Sequence, residues 1–296
     1  GEKEVLQVIR TVPGNHARGH FNQREIDVIT QEVLQECTES RSIGIITPYR
    51  AQAEAINQAV GKDIASTVHK YQGREYDTII MSMVDNCPTE FSDDANLLNV
   101  AISRAKNRLC LVTNGNEMPQ NCNLSQLISY IQYNNFEVKA SKLHSVFDLL
   151  YRQYTAERLA YQAAHPTVSD YLSENLVYDV LLKAIAELGL PHTKVLCHYP
   201  LSRLIADWDQ LDDKEKAFAE SPFSHVDFLL YNSLTKQPMS AIEVDGWHFH
   251  KESDAQQSRD ALKDQIFTKI GLRLLRISTT DTVNQETIKK SLLAIL

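Results

Sequence analysis

Short apolar runs separated by helix-length stretches occupy roughly the first 120 residues, and no other feature limits the possible folds as much. The runs fall at 6–9, 43–46, 64–68, 78–83 and 108–113, each of strand length. IGII at 43–46 has no polar face, which suits a parallel strand covered on both sides. Between the runs, residues 23–36 carry a helical pattern, with Asn22 as N-cap and Glu25 three residues on. Thr47-Pro48 opens a second helix reaching about Val60, with proline early in its first turn, and 96–105 is a third. Alternating strands and helices imply an α/β fold with a doubly wound parallel sheet.

Residues 124–165 read as helices with polar breaks, a connector without a low-complexity linker. A second α/β unit follows: helix 173–188, strand 193–204, an acidic stretch of mobile character (DWDQLDDKEKAFAESP), strands 226–231 and 239–245, helix 255–270, strand 273–277 and a last helix from about Asp281. The expected organisation is a first domain over 1–122, a helical connector over 123–168 and a second domain over 169–296. A chain of 296 residues has room for about two cores of this kind. It starts Gly1-Glu2-Lys3, without methionine and directly before an apolar run, as though in mid-protein.

In SAIEVDGWHFH (240–250), Glu243 and Asp245 stand two residues apart in a strand and project to one side of it. Carboxylates so close repel unless a cation sits between them. Asp227, in HVDFLLYN, can supply a third oxygen ligand, and hard oxygen donors suit Mg²⁺ or Mn²⁺. His248 and His250 are candidates for proton transfer or phosphate contact, although HxH spacing alone does not specify zinc. The five cysteines are scattered, odd in number and without CxxC spacing, which fits free thiols in a reducing cytoplasm. A net charge of −8 gives no support to general nucleic-acid affinity, yet is compatible with an acidic metal site beside a local basic track. No apolar run approaches the roughly 20 residues of a membrane helix, and no membrane partner is expected.

Three segments carry a resemblance. IGIITPYRAQ (43–52), STVHKYQGREYDTIIMS (66–82) and NLLNVAISRAKNRLCLV (96–112), in this order, resemble motifs IV, V and VI of superfamily 1 helicases. The branch is that of the nonsense-mediated-decay helicase and related DNA helicase–nucleases. The resemblance implies a RecA-like second motor domain, with Arg104 as the arginine finger and Gly73 and Glu75 at the nucleotide. Arg50 is a further nucleotide candidate, while Thr47, His69 and Gln72 would lie near the nucleic-acid strand. A GxxxxGK[ST] phosphate loop is absent, as is an acidic Walker-B-like strand. ATP would then need another RecA-like domain, in the same full-length protein or on a separate chain, and this sequence alone is expected not to hydrolyse it.

The later order of a helix with Glu174, a strand with Asp227, a strand with Glu243 and Asp245, a helix and a strand resembles the PD-(D/E)xK restriction-endonuclease-like fold. VDF, IEVDG, FH, RDALKD and GLRLLRI narrow it to nuclease-like domains related to very-short-patch-repair endonucleases. The usual lysine two residues after the glutamate is replaced here by Asp245. Lys263 is the natural substitute, because Gln256, Arg259, Lys263 and Phe267 recur at helical spacing and one helix face can look back at the strands. The resemblance implies a catalytic set of Asp227, Glu243, Asp245, Lys263 and Glu174, with the three strand acids on the metal. Glu174 reads equally as a helix N-terminal acid.

The expected protein is the C-terminal half of a helicase–nuclease that cuts nucleic acid, DNA favoured, with Mg²⁺ or Mn²⁺ and with ATP for the complete motor. Repair or phage defence follows only from association with such fusions. Two alternatives compete: a nuclease fold that has lost cleavage and only grips nucleic acid, and an assembly element whose connector and last helix make oligomers.

Overall fold

The computed structural model describes residues 5–38, 40–71, 73–151, 155–246 and 254–294. The chain forms two compact units: the first runs to His144 and takes in Tyr151, the second takes Ser145–Leu150 and continues from residue 155.

In chain order the first unit carries β1 (Leu6–Arg10), α1 (Gln23–Val28), a π-helical turn (Ile29–Val33), α2 (Leu34–Glu36), β2 (Ile43–Ile46), α3 (Arg50–Val60) and β3 (Ala65–Ser66). A 3-10 turn (Val68–Tyr71), β4 (Tyr76–Ser82), α4 (Ala95–Arg104), β5 (Ala105–Thr113), α5 (Asn123–Tyr133) and β6 (Glu137–Ala140) follow. Six strands form one parallel sheet in the order β3-β2-β4-β5-β1-β6, the doubly wound α/β layer expected, consistent with a RecA-like fold. Alternation along each strand divides the core between the two faces. Val8, Ile79, Met81, Leu109 and Leu111 pack under α4 and α5, while Ile9, Ile45, Ile80, Cys110 and Val112 pack under α1 and α3. Burying each such aliphatic side chain is worth about 1.5–3 kcal/mol, which explains strands without a polar face. Gly44 is fixed by space, since a Cβ there would lie 2.6 Å from the Tyr71 ring. Tyr71 in turn donates from its hydroxyl to the Ile64 carbonyl at 2.5 Å and accepts from the Ile45 N–H at 3.0 Å.

Two expectations for this half are corrected. Asn22 does cap α1, its Oδ1 accepting from the Glu25 N–H at 3.3 Å. The Glu25 side chain does not complete a capping box. It is fully buried and accepts instead from Ser82 Oγ at 2.6 Å and the Val84 N–H at 2.9 Å, at the far end of β4. Residues 123–144 belong to the first unit and are not all helix, because β6 extends the sheet beside β1 with Gln7 opposite Glu137 and Arg10 opposite Ala140. EVKA is short and polar because it is an edge strand, so it carries no apolar signal.

After α6 (Asp148–Tyr151), the second unit carries α7 (Thr155–Ala164), α8 (Leu172–Glu187), β7 (Thr193–Pro200), a 3-10 turn (Leu201–Arg203) and α9 (Asp213–Glu220). Then come β8 (His225–Asn232), β9 (Pro238–Asp245), α10 (Asp254–Lys269), β10 (Leu274–Ser278) and α11 (Gln285–Leu293). The sheet order is β10-β9-β8-β7, with β10 parallel to β9 and the other pairs antiparallel. Ile266 and Phe267 of α10 pack with Leu201, Val226, Leu229 and Ala241 in one core, while Tyr178 of α8 stacks on Phe228, which points to the other face.

The acidic stretch is ordered, contrary to its mobile look. Asp212 accepts from the Lys214 and Glu215 N–H groups at 2.9 Å, and Glu215 returns a bond to the Asp212 N–H at 2.7 Å. The same buried Glu215 takes Lys269 of α10 at 2.6 Å. Asp212→Ala removes the acceptor of two first-turn N–H groups and is expected to lower the midpoint of urea unfolding followed by far-ultraviolet circular dichroism. An unchanged midpoint would contradict that cap. Among the described residues, no helix is long and apolar enough to cross a membrane.

Candidate functional site

The β8–β9 hairpin brings the second unit's acids together. Register pairs Phe228 with Ile242, so Asp227 and Glu243 stand alongside each other one residue further on. The Val244 N–H donates to Asp227 Oδ2 at 2.7 Å. Lys263 reaches across from α10 and places its ammonium 2.9 Å from Glu243 Oε2 and 2.9 Å from the His225 carbonyl. Its side chain is only 13% exposed and the glutamate's 10%, so this ion pair lies largely out of water. The other glutamate oxygen, Oε1, is buried with no hydrogen-bond partner. Burial, helped by the Asp227 charge, pushes the Glu243 carboxyl up to about 7 against the pull of Lys263. Burial likewise lifts Asp227 to about 6, opposed by the Val244 N–H.

Asp245 is not brought to this pair. Its Oδ1 is 3.1 Å from Arg276 of β10, whose guanidinium also holds Asp260 and Asp264 of α10, each at 3.1 Å. Burial raises the Asp245 carboxyl and Arg276 draws it back. The expectation of three strand acids on one metal is corrected accordingly: among the described residues, no group of three or more His, Cys, Asp or Glu could hold a metal ion. Arg276 sits beside Glu243 in the parallel register, and its guanidinium donates to Asp245.

Glu174, buried in the first turn of α8, accepts from His198 Nε2 at 2.8 Å. His198 lies edge-on to His225, with ring centroids 5.4 Å apart. His198 also has a φ of +49°, a left-handed conformation that costs a non-glycine residue about 1–3 kcal/mol and that concentrates at functional sites. Burial, then the His198 and Lys263 charges, hold the His225 imidazole below its ordinary value. Neither His198 nor His225 stood out in the sequence. The register of β7 on β8, with Cys197 opposite Phe228 and Tyr199 opposite Val226, is what sets His198 against Asp227. His248 and His250 lie outside the described residues.

In the first unit the motif residues divide between the two ends of the parallel sheet. Thr47 follows β2 at its C-terminal end, fully buried, with Oγ1 unpartnered and its N–H donating to the Ser66 carbonyl at 3.2 Å. His69 is exposed on the 3-10 turn that follows β3. At the other end, Tyr76 pairs with Ala105, which sets residues 73–75 beside residues 104–106. Glu75 and Lys106 form an exposed ion pair at 3.6 Å there. Arg104 closes α4, and its Nε is buried without a partner. Gly73 has φ +76°, with open space where a Cβ would be, so backbone conformation is what calls for glycine. Arg50 is not gathered with them: its guanidinium pairs with Glu54 at 2.7 Å on the outer face of α3. Gln72 lies outside the described residues.

Comparison with known proteins separates the halves in the same way. Residues 9–116 match the family described as an AAA domain. The chain is 38% identical over 92 residues to the DNA replication ATP-dependent helicase/nuclease JHS1 of Arabidopsis thaliana, covering 28% of this chain and 7% of that protein. It is 42% identical over 84 residues to the human DNA replication ATP-dependent helicase/nuclease DNA2, covering 26% and 8%. To the uncharacterized ATP-dependent helicase MJ0104 of Methanocaldococcus jannaschii it is 31% identical over 115 residues, covering 38% and 17%.

The first unit holds a superfamily 1 helicase-like region. The chain spans less than a fifth of each of these relatives, and the residues outside the helicase-like region take their own match. Residues 171–295 fit a protein family of unknown function, DUF2726. A solved C-terminal domain of a possible DNA helicase from Lactobacillus plantarun WCFS1 is 17% identical with a TM-score of 0.32, covering 46% of this chain and 85% of that one, too loose a likeness to bear on the fold.

Proposed function

We propose that the second unit is a metal-dependent phosphodiesterase of the PD-(D/E)xK kind, acting on nucleic acid, DNA by preference, beside the helicase-like region. The observation that carries this is Lys263, which approaches Glu243 from a different element in place of the lysine missing from the strand. A buried lysine–glutamate pair is a costly arrangement that packing alone does not require.

Asp227 and Glu243 suit a hard divalent cation. They are adjacent buried carboxyls whose ionised forms are disfavoured by burial, and Glu243 Oε1 has a lone pair with nothing to accept from. Bound there, Mg²⁺ or Mn²⁺ would supply Lewis-acid activation of the phosphate and of water. The chain's own groups do the rest. Lys263 offsets the negative charge that develops on the phosphate, and the Val244 N–H fixes the orientation of Asp227. Glu174 orients His198 over the same corner of the sheet. Asp245 acts at one remove, through Arg276, by tying α10 to the strand end so that Lys263 stays on Glu243.

In the helicase-like region, Gly73, Glu75 and Arg104 would meet the nucleotide held by another RecA-like domain, and the exposed His69 the nucleic-acid strand, while Thr47 lies buried at that end of the sheet. ATP-driven movement would deliver the strand to the phosphodiesterase.

A non-cleaving grip on nucleic acid is the second reading, favoured by the absence of a three-ligand group among the described residues. One measurement distinguishes them. Supercoiled, linear and single-stranded DNA, and RNA, are incubated with the chain in Mg²⁺, Mn²⁺ or EDTA. Products that appear with metal and vanish in Glu243→Gln support the enzyme, whereas binding without cutting in any metal supports the grip. Mn²⁺ is also expected to raise the melting temperature of the wild type, by the equivalent of about 2.7 kcal/mol at a hundred times its dissociation constant. The shift should disappear in Asp227→Asn/Glu243→Gln, and its persistence there would place the ion elsewhere.

A further inference from the structure

A groove of about 390 Å³ opens beside Lys263, lined by Phe218, Ser221, Phe223, Arg259 and Asp260 along with the lysine itself. Phe223 is 87% exposed, although nothing in the fold gains from leaving its ring in water. The turn that displays it is pinned. Ser224 Oγ donates to the Phe218 carbonyl at 2.6 Å, its N–H to the Ser221 carbonyl at 2.9 Å, and its carbonyl accepts from the Leu201 N–H at 2.9 Å. Of the charged groups in the groove, Asp260 is held by Arg276 and Lys263 by Glu243. Arg259 is exposed and has no ion-pair partner among the described residues, so the uncommitted charge offered here is positive.

We propose that this groove binds an unpaired nucleotide next to the Asp227–Glu243–Lys263 centre, with Phe223 stacking on the base and Arg259 meeting the phosphate. The substrate of the second unit is thereby single-stranded nucleic acid. The proposal rests on the phosphodiesterase reading for what happens at the adjacent centre, but not for binding. A ring on a fixed turn needs an open base face. In a duplex both faces are covered by neighbouring pairs, whereas in a single strand every base offers one, whatever its identity. An exposed aromatic beside a free guanidinium, continuous with a lysine at a phosphodiesterase centre, fits that ligand better than a peptide.

The test measures binding by the full chain in EDTA, by fluorescence anisotropy. The probes are a single-stranded oligonucleotide, the same strand made abasic throughout, and the matching duplex. Phe223→Ala is expected to weaken binding to the intact strand between about fivefold and a hundredfold, the range that base stacking supplies. It should leave the abasic strand and the duplex unchanged, and Phe223→Trp should restore the intact strand. Arg259→Ala should weaken intact and abasic strands alike and reduce the slope of log affinity against log salt by about one. The groove is refuted if Phe223→Ala keeps the wild-type difference between intact and abasic strands, if duplex affinity falls equally, or if the wild-type chain binds no single strand. Failure of the two readings is distinguishable. Cleavage lost in Glu243→Gln with no effect of Phe223→Ala removes the groove alone. A stacking effect in a chain that cleaves nothing in either Mg²⁺ or Mn²⁺ removes the phosphodiesterase alone.

Discussion

Replacing Lys263 with methionine is expected to slow metal-dependent cleavage between about a hundredfold and a thousandfold, the scale on which one preorganised donor at a developing charge acts. The ammonium pairs with Glu243 and also donates to the His225 carbonyl, so methionine fills the volume but removes the charge that answers the developing anion. The fold should survive. Glu243 already sits near 7, and without the lysine its carboxyl rises further and takes up a proton instead of remaining a buried, unpaired anion. Single-turnover cleavage with the wild type and Lys263→Met, checked by circular dichroism and urea unfolding, measures both parts. A folded Lys263→Met that cuts within about threefold of the wild type would show that the lysine is only a packing element.

The second large effect concerns stability. Glu25 is fully buried, and burial pushes its carboxyl from 4.5 up to about 8, against the hydrogen bonds from Ser82 and the Val84 N–H. A folded-state value above the unfolded one means that the native state prefers the proton. The stabilising contribution is therefore fully present below about 4.5 and is lost as pH rises through about 8. Between pH 5 and pH 9 the first unit should lose on the order of a few kcal/mol, since each unit of difference is worth about 1.4 kcal/mol. Glu25→Gln keeps an oxygen for the same two donors and carries no proton to lose, so its urea midpoint should hold nearly flat over that range. A variant with the wild-type pH slope would mean that another group carries it. The effect reaches the motif edge, because Glu25 anchors Val84, whose φ of +72° is costly for a β-branched residue, and the next residue, Asp85, accepts from the Tyr49 hydroxyl at 2.9 Å.

Where the structure departs from local pattern, a distant partner takes part. Glu25 satisfied a local rule three residues after an N-cap, but a buried β4 terminus offered it better donors. DWDQLDDKEKAFAESP looked mobile by charge, yet Asp212 and Glu215 spend their carboxylates on a capping box and Glu215 on Lys269. Asp245 stands two residues from Glu243 on the same strand face, which makes it the expected partner, but Arg276 arrives on the neighbouring strand and takes it. The Asp212–Glu215 capping box is local, but Ser82, Val84, Lys269 and Arg276 all come from distant parts of the chain, which sequence spacing does not report.

Strand and helix periods, by contrast, are properties of consecutive residues. IGII, YDTIIMS and RLCLV bury side chains on both faces, so the parallel, doubly covered sheet was legible before any tertiary contact was known. So was the likeness of residues 43–112 to helicase motifs, since those motifs are contiguous. The helical spacing that set Lys263 and Phe267 on one face of α10 was legible as well. Only the tertiary structure decided that Lys263 reaches Glu243, that Asp245 goes to Arg276, that a strained His198 meets Glu174, and that an exposed Phe223 flanks the centre. Those are choices between side chains brought together by the packing of β7, β8, β9, β10 and α10, and electrostatic pairing in a buried space depends on distances that no local pattern encodes.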